Sequence, residues 1–168
     1  MGSNIEPRKH LRLAVEQLER WFPLRGVSRV YESAPVGPPG SPRFLNAAVW
    51  IETSLPPARL KDEHLRPLEV RLGRLRGSDR NAPRTIDLDI ALFGALVLED
   101  RRSGLVIPAP EILTRAYVAL PLADVAPEMR HPVTGERLAA IAARFGDAPE
   151  ARPAERVALG PWKRSSPQ

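Results

Sequence analysis

From Thr85 to Phe93 the chain alternates with a period of two, and no other stretch constrains the fold as tightly. Ile86, Leu88, Ile90 and Leu92 fall on one side, and Thr85, Asp87, Asp89 and Ala91 on the other. This pattern predicts a β-strand with one face in a core. Gly94 and Ala95 predict a turn, and Leu96 to Leu98 a returning hairpin strand. Helical spacing appears elsewhere. Leu11, Ala14, Val15, Leu18 and Phe22 recur on one face of a helix over Pro7 to Phe22, with Pro7 suited to the first turn. Helices are also predicted for Pro56 to Leu72, around Arg115 to Leu120 within Ile112 to Val125, and for Arg137 to Phe145. Pro67 should kink the second of these or divide it in two. Val27 to Tyr31 reads as a short strand and Phe44 to Thr53 as a buried one. Between them, Ser33 to Arg43 is rich in Pro, Gly and Ser and reads as a shaped loop.

The chain's 168 residues suit one domain, and 43% hydrophobic residues suffice for its core. From Gly146 onward Pro, Ala, Arg and Ser dominate, so the expected division is a domain over residues 1–145 and a loosely ordered tail over residues 146–168. There is no cysteine, which excludes disulfides, thiolate metal sites and cysteine nucleophiles and fits a reducing compartment. No apolar run reaches membrane-spanning length and the first residues lack the apolar core of a signal peptide, so a cytoplasmic protein is expected. The net charge of +5 comes mostly from arginine. It points either to anionic partners gripped by guanidinium forks or to a genome that writes arginine for lysine.

Asp87 and Asp89 would leave the same face of a strand a few ångströms apart. Two such carboxylates repel unless a cation neutralises them, and hard oxygen ligands of this kind suit magnesium. A solvated acidic face is the plainer alternative. Arg84 stands beside the pair, as phosphate chemistry requires. Arg74, Arg76 and Arg80 form a second cluster on a glycine-punctuated loop, able to close over a polyphosphate, or to be merely solvated or to face nucleic acid. Aromatics make up only 5% of the chain, and none stands in that loop to stack bases. Asn46, mid-strand, needs partners: a flat heterocycle with Phe44 stacked on it, or a nearby turn. Phosphate-binding loops of the Gly-x-x-x-x-Gly-Lys type, dinucleotide fingerprints and protein-kinase signatures are absent. His10, His64 and His131 show no metal spacing.

The ordered set Gly2-Ser3-Asn4, Phe44-Leu45-Asn46-Ala47-Ala48, Glu69 with Gly73-Arg74, Pro83-Arg84-Thr85-Ile86-Asp87-Leu88-Asp89-Ile90, Phe93-Gly94, then Arg115, Tyr117, Pro121 and Leu122 closely resembles the 6-hydroxymethyl-7,8-dihydropterin pyrophosphokinase family, from Gly2 to Pro132. The resemblance implies a ferredoxin-like α+β fold, an antiparallel sheet flanked by helices. The family has an apolar strand before Gly-Ser-Asn; only Met1 precedes Gly2 here, so the first strand is expected to be missing or truncated. The implied activity, in folate biosynthesis, transfers diphosphate from ATP to the hydroxymethyl group of the pterin and releases AMP. A non-catalytic relative that binds pterin or ATP is the alternative. Asp87 and Asp89 would hold two magnesium ions. Arg74, Arg76 and Arg84 would join them in catalysis, the first two on a mobile loop. Glu69, Arg74, Arg84 and Arg115 would serve ATP, and Ser33, Pro35, Val36, Phe44, Asn46 and Tyr117 the pterin. A monomer acting on these small molecules, with no nucleic acid or membrane partner, is implied. Ala109 and Asn81 stand where the family usually has histidine and tryptophan.

Overall fold

A computed structural model describes residues 1–34, 40, 42–75, 82–100, 103–146, 151–154 and 157–159. It mixes helices with antiparallel strands. Strand β1 (Gly2–Ser3) leads into helix α1 (Pro7–Trp21). Strands β2 (Leu24–Val27), β3 (Tyr31–Ser33), β4 (Phe44–Asn46) and β5 (Val49–Ile51) follow. Pro7 sits in the first turn of α1 as predicted. The same helix buries Leu11, Ala14, Val15 and Leu18 against Leu45, Leu60, Leu65, Leu68, Ile86 and Leu88. Leu11 is fully buried, so truncating it to alanine should cost roughly 2–5 kcal/mol.

The strands expected over Val27 to Tyr31 and Phe44 to Thr53 are each interrupted, at the same level. Ser28 N–H donates to the Ala48 carbonyl (2.9 Å), and Ala48 N–H donates to Ser28 Oγ (2.8 Å). A side-chain hydroxyl thus replaces a ladder bond where both strands bend. Beyond the bend β2 pairs with β5, with a register shift between Leu24 and Gly26. On the near side β3 pairs with β4, Tyr31 facing Asn46 and Ser33 facing Phe44.

Pro67 does not divide its helix. α2 (Pro57–Arg59) runs into a π-helical turn (Leu60–Leu65) and on into α3 (Arg66–Arg71). In a regular helix the proline ring would strike the carbonyl four residues back. The wider turn, in which Arg66 N–H reaches the Lys61 carbonyl, relieves that clash just before Pro67.

The segment predicted as a regular strand from Thr85 to Phe93 departs from expectation. Among the described residues it makes one antiparallel bridge, Asp87 with Gly2, at the two-residue strand β1. The alternation holds through Ile86, Leu88 and Ile90, which join the α1 cluster, and then slips. Ala91 and Leu92 pack on the second cluster and Phe93 on the first. The turn at Gly94–Ala95 is present, closed by Leu96 N–H to the Phe93 carbonyl (3.0 Å). The strand after it does not return onto that segment. β6 (Leu98–Asp100) pairs forward with β7 (Leu105–Ile107).

A 3-10 turn (Pro110–Leu113), α4 (Ala116–Val125) and α5 (Leu138–Ala143) build the second cluster from Ile112, Ala119, Ala126, Leu138 and Ile141. Within the expected tail, β8 (Ala151–Pro153) pairs with β3, and Leu159 is buried in the first cluster. The four-stranded sheet runs β1-β4-β3-β8. No helix among the described residues is long and apolar enough to cross a membrane.

Candidate active site

Asp87 leaves the chain where the bridge to Gly2 fixes the backbone, with Asp87 N–H to the Gly2 carbonyl at 2.7 Å and the reverse bond at 2.9 Å. Its carboxylate is caged by two arginines. Arg74 Nη1 donates to one oxygen, and Arg84 Nη1 to the other at 2.6 Å. Burial alone would raise the Asp87 carboxyl; Arg74 and then Arg84 outweigh it and hold the group below the usual carboxylate range. Asp89, which is exposed, shifts the other way. The protein wall crowding its carboxyl raises it and the Asp87 charge adds to that, while the Met1 ammonium, Lys61 and Arg74 only partly compensate. Two neighbouring carboxylates are thus pushed apart, one strongly anionic and one eager for a cation.

Arg74 was expected on a mobile loop. In this structure it is held at the exit of α3. Gly73, at φ 82°, turns the chain, and Arg74 N–H donates to the Glu69 carbonyl (2.9 Å). Its side chain is 14% exposed, held between Glu69 and Asp87. Glu69 is buried in α3 rather than facing open space. Arg84 is fastened through its backbone: its N–H donates to Asn4 Oδ1 at 2.7 Å, and Asn4 Nδ2 reaches the Pro42 carbonyl at 3.4 Å. Ser3, fully buried, donates its hydroxyl to the Thr85 carbonyl. The Gly2-Ser3-Asn4 run is therefore a fastener for the acidic segment. Asn4 carries a role the sequence reading did not assign; its signal is a buried polar residue directly after a strand.

On the sheet beside this charged group, Asn46 is 8% exposed and satisfied. Its Nδ2 donates to Ser33 Oγ (2.9 Å) and to the Tyr31 carbonyl (3.5 Å). Gly2 approaches closely here: a Cβ on it would stand 3.0 Å from Asn46 Oδ1. The Arg84 guanidinium lies over the Phe44 ring, 5.8 Å from its centroid.

Ser33, Phe44, Asn46, Tyr117, Arg84, Asp87 and Asp89 all line one cavity of about 1450 Å³, with Lys61 and Ala109 also on its wall. That volume exceeds a single drug-sized site and has room for two small molecules. Arg115, the residue before α4, is exposed and does not line it. Pro35, Val36, Arg76, Arg80 and Asn81 lie outside the described residues.

The description 7,8-dihydro-6-hydroxymethylpterin-pyrophosphokinase belongs to a family whose profile matches residues 1–127. The 2-amino-4-hydroxy-6-hydroxymethyldihydropteridine pyrophosphokinase of Pseudomonas aeruginosa is 42% identical over 135 residues, covering 79% of this chain and 81% of that protein. Its counterpart by name in Bacillus subtilis is 39% identical over 137 residues, 80% of each chain. That of Haemophilus influenzae is 36% identical over 135 residues, 79% of this chain and 82% of that protein. Matched over this span and at this identity, the chain belongs to the 7,8-dihydro-6-hydroxymethylpterin pyrophosphokinase family.

Proposed function

We propose that this protein transfers diphosphate from ATP to the hydroxymethyl group of 6-hydroxymethyl-7,8-dihydropterin, in folate biosynthesis. The observation that carries the reading is the common cavity, lined together by Asp87, Asp89 and Arg84 and by Asn46, Ser33, Phe44 and Tyr117. The pterin hydroxyl oxygen forms a bond to the β-phosphorus. The bond from that phosphorus to the oxygen bridging to the α-phosphate breaks, AMP leaves, and the hydroxyl proton passes to water.

Little covalent work falls to the protein in such a transfer; alignment and charge stabilisation carry it. The donor set fits magnesium. Asp87 and Asp89 supply hard oxygens, and no cluster of three or more metal-binding side chains occurs among the described residues. Magnesium commonly takes one or two carboxylates and completes its shell with water and phosphate. When bound, the metal, two ions in this reading, supplies Lewis-acid neutralisation of the phosphates. Arg84 and Arg74, now engaged with Asp87, turn toward phosphate oxygens as the carboxylate is taken up. Phe44 and Tyr117 enclose the pterin ring, Asn46 and Ser33 read its edge, and Arg115 and Arg76 approach the phosphates. Pro35 and Val36 complete the pterin side. A ferredoxin-like frame, a cytoplasmic monomer and the absence of nucleic-acid or membrane partners belong to the same reading.

The test is AMP release dependent on both pterin and magnesium. Release that needs neither, or ATP binding without turnover in the purified protein, would sink the proposal.

A further inference from the structure

Glu69 is an ionisable side chain only 3% exposed, and neither it nor its partner Arg74 is among the described residues that line the cavity. Its Oε1 accepts two hydrogen bonds from different parts of the chain. Arg74 Nη1 donates at 2.6 Å, and the Leu88 backbone N–H donates at 2.8 Å. Leu88 is the residue between Asp87 and Asp89.

We infer that Glu69 is a positioning residue that sets both the backbone between the two aspartates and the guanidinium that faces them. Asp87 turns both its N–H and its carbonyl to Gly2, so the Leu88 N–H points away from β1, and among the described residues no strand pairs with it on that side. A helix carboxylate takes that place. The Arg74 guanidinium is bound in turn at three points: Glu69 Oε1, the Ile86 carbonyl at 3.1 Å, and Asp87. Glu69, Arg74, Asp87 and the backbone from Ile86 to Leu88 thus close a ring. A buried anion is tolerated because a guanidinium and an amide satisfy it. Within this ring the direction of the Asp87 and Asp89 side chains and the reach of Arg74 are set together. When Arg74 releases Asp87, Glu69 remains as its anchor.

The inference rests on the diphosphate-transfer reading, but part of its test does not depend on turnover. Amide hydrogen exchange at Leu88 is measured in the metal-free protein. Glu69→Ala is expected to speed it roughly tenfold through local opening, and Glu69→Gln, which keeps an oxygen acceptor, to leave it near wild type. Both variants remove the charge that anchors Arg74. Each should lower kcat by about 100-fold while the KM for ATP moves little, the cost of misplacing an aligned group. In combination with Arg74→Ala the penalties should be strongly non-additive, the double variant being little worse than Arg74→Ala alone. If Glu69→Ala does not fold, Glu69→Gln carries the kinetic test. A raised KM for ATP at constant kcat would make Glu69 a direct nucleotide ligand and overturn the inference. So would additive penalties, or unchanged Leu88 exchange in a folded Glu69→Ala. A wild-type protein that forms no AMP would instead defeat the diphosphate-transfer reading, with the exchange measurement still reporting on Glu69.

Discussion

The acidic and the neutral groups at the cavity are ordered by different physics. In the acidic group the side chains hold one another. Asp87, Arg74, Arg84 and Glu69 form a chain of charge-assisted bonds, and the backbone beneath makes one isolated bridge. In the neutral group the backbone does the ordering. Ser33 and Phe44 face each other in the β3–β4 ladder, and Asn46 completes its bonds to neighbouring strand residues. A site fixed by ion pairs can exchange partners when a stronger charge arrives. A site fixed by strand register stays put. The division suits a reaction in which charge moves at one group while a flat ring is merely held by the other.

The largest effect should come from removing the two carboxylates altogether. Asp87→Ala combined with Asp89→Ala is expected to lower kcat by at least about 1,000-fold, since the metal's charge stabilisation is worth several kcal/mol. Circular dichroism should show a folded protein, because these side chains are not in either apolar cluster. Retained magnesium-dependent turnover in the double variant would break the assignment of the two groups.

Arg84 joins them, pairing with Asp87 and lying over Phe44. Arg84→Ala should therefore damage both kinetic constants. We expect kcat lower by about 100-fold, on the scale of losing one preorganised donor, together with a higher KM for the pterin. Steady-state kinetics with each substrate varied would decide. A change confined to the ATP side would show that the contact with Phe44 is incidental.

How far this division could be read from the chain depended on whether its contacts are local. Helix α1 was legible because Pro7 and the spacing of Leu11, Leu18 and their neighbours act within a few residues. The aspartate pair was legible from its spacing alone. Its setting was not, because Glu69 and the Leu88 amide meet only when α3 packs on the acidic segment. The alternation from Thr85 named the buried residues through Ile90 but implied a ladder that needs a longer partner than β1. Leu98 pairs forward with Ile107, a choice no local turn signal specifies. The Pro- and Arg-rich composition around β8 hid a strand, since an edge position tolerates proline such as Pro153. The break shared by Ser28 and Ala48 depends on a hydroxyl meeting an amide twenty residues away.

A smaller effect separates the neutral group. In Gly2→Ala the new Cβ would meet Asn46 Oδ1 at 3.0 Å and push the amide by a few tenths of an ångström. One weakened hydrogen bond, about 1 kcal/mol, corresponds to a rise of roughly 5- to 10-fold in the pterin KM. kcat should hold, since the acidic group is untouched. A fall in kcat at constant KM would mean that Gly2 matters through its bridge to Asp87 instead.

The smallest effect is the sharpest test of the acidic group, because its two carboxylates should respond with opposite signs. Asp87 is held below its ordinary range by its arginines, so in its charged form it stabilises the fold. That contribution is present at neutral pH and is lost only as pH falls through the lowered value, below the usual carboxylate range. Asp89 is held above its ordinary range by its crowded setting and by Asp87, so its charge costs stability at neutral pH. The cost disappears as pH falls through the raised value, where the carboxyl takes up its proton in the folded protein first. Without magnesium, Asp89→Asn should therefore raise the melting temperature at pH 7 and Asp87→Asn should lower it. Solvent screening keeps the Asp89 gain under about 1 kcal/mol, at most about 2–4 °C. Added magnesium should stabilise the wild type more than either variant, since both lose a ligand. The Asp89→Asn advantage should shrink as pH falls through the raised Asp89 value, where the wild-type carboxyl takes up its proton. Equal destabilisation by both variants in calorimetry would show that the pair acts as one charge cluster rather than as one held anion and one strained one.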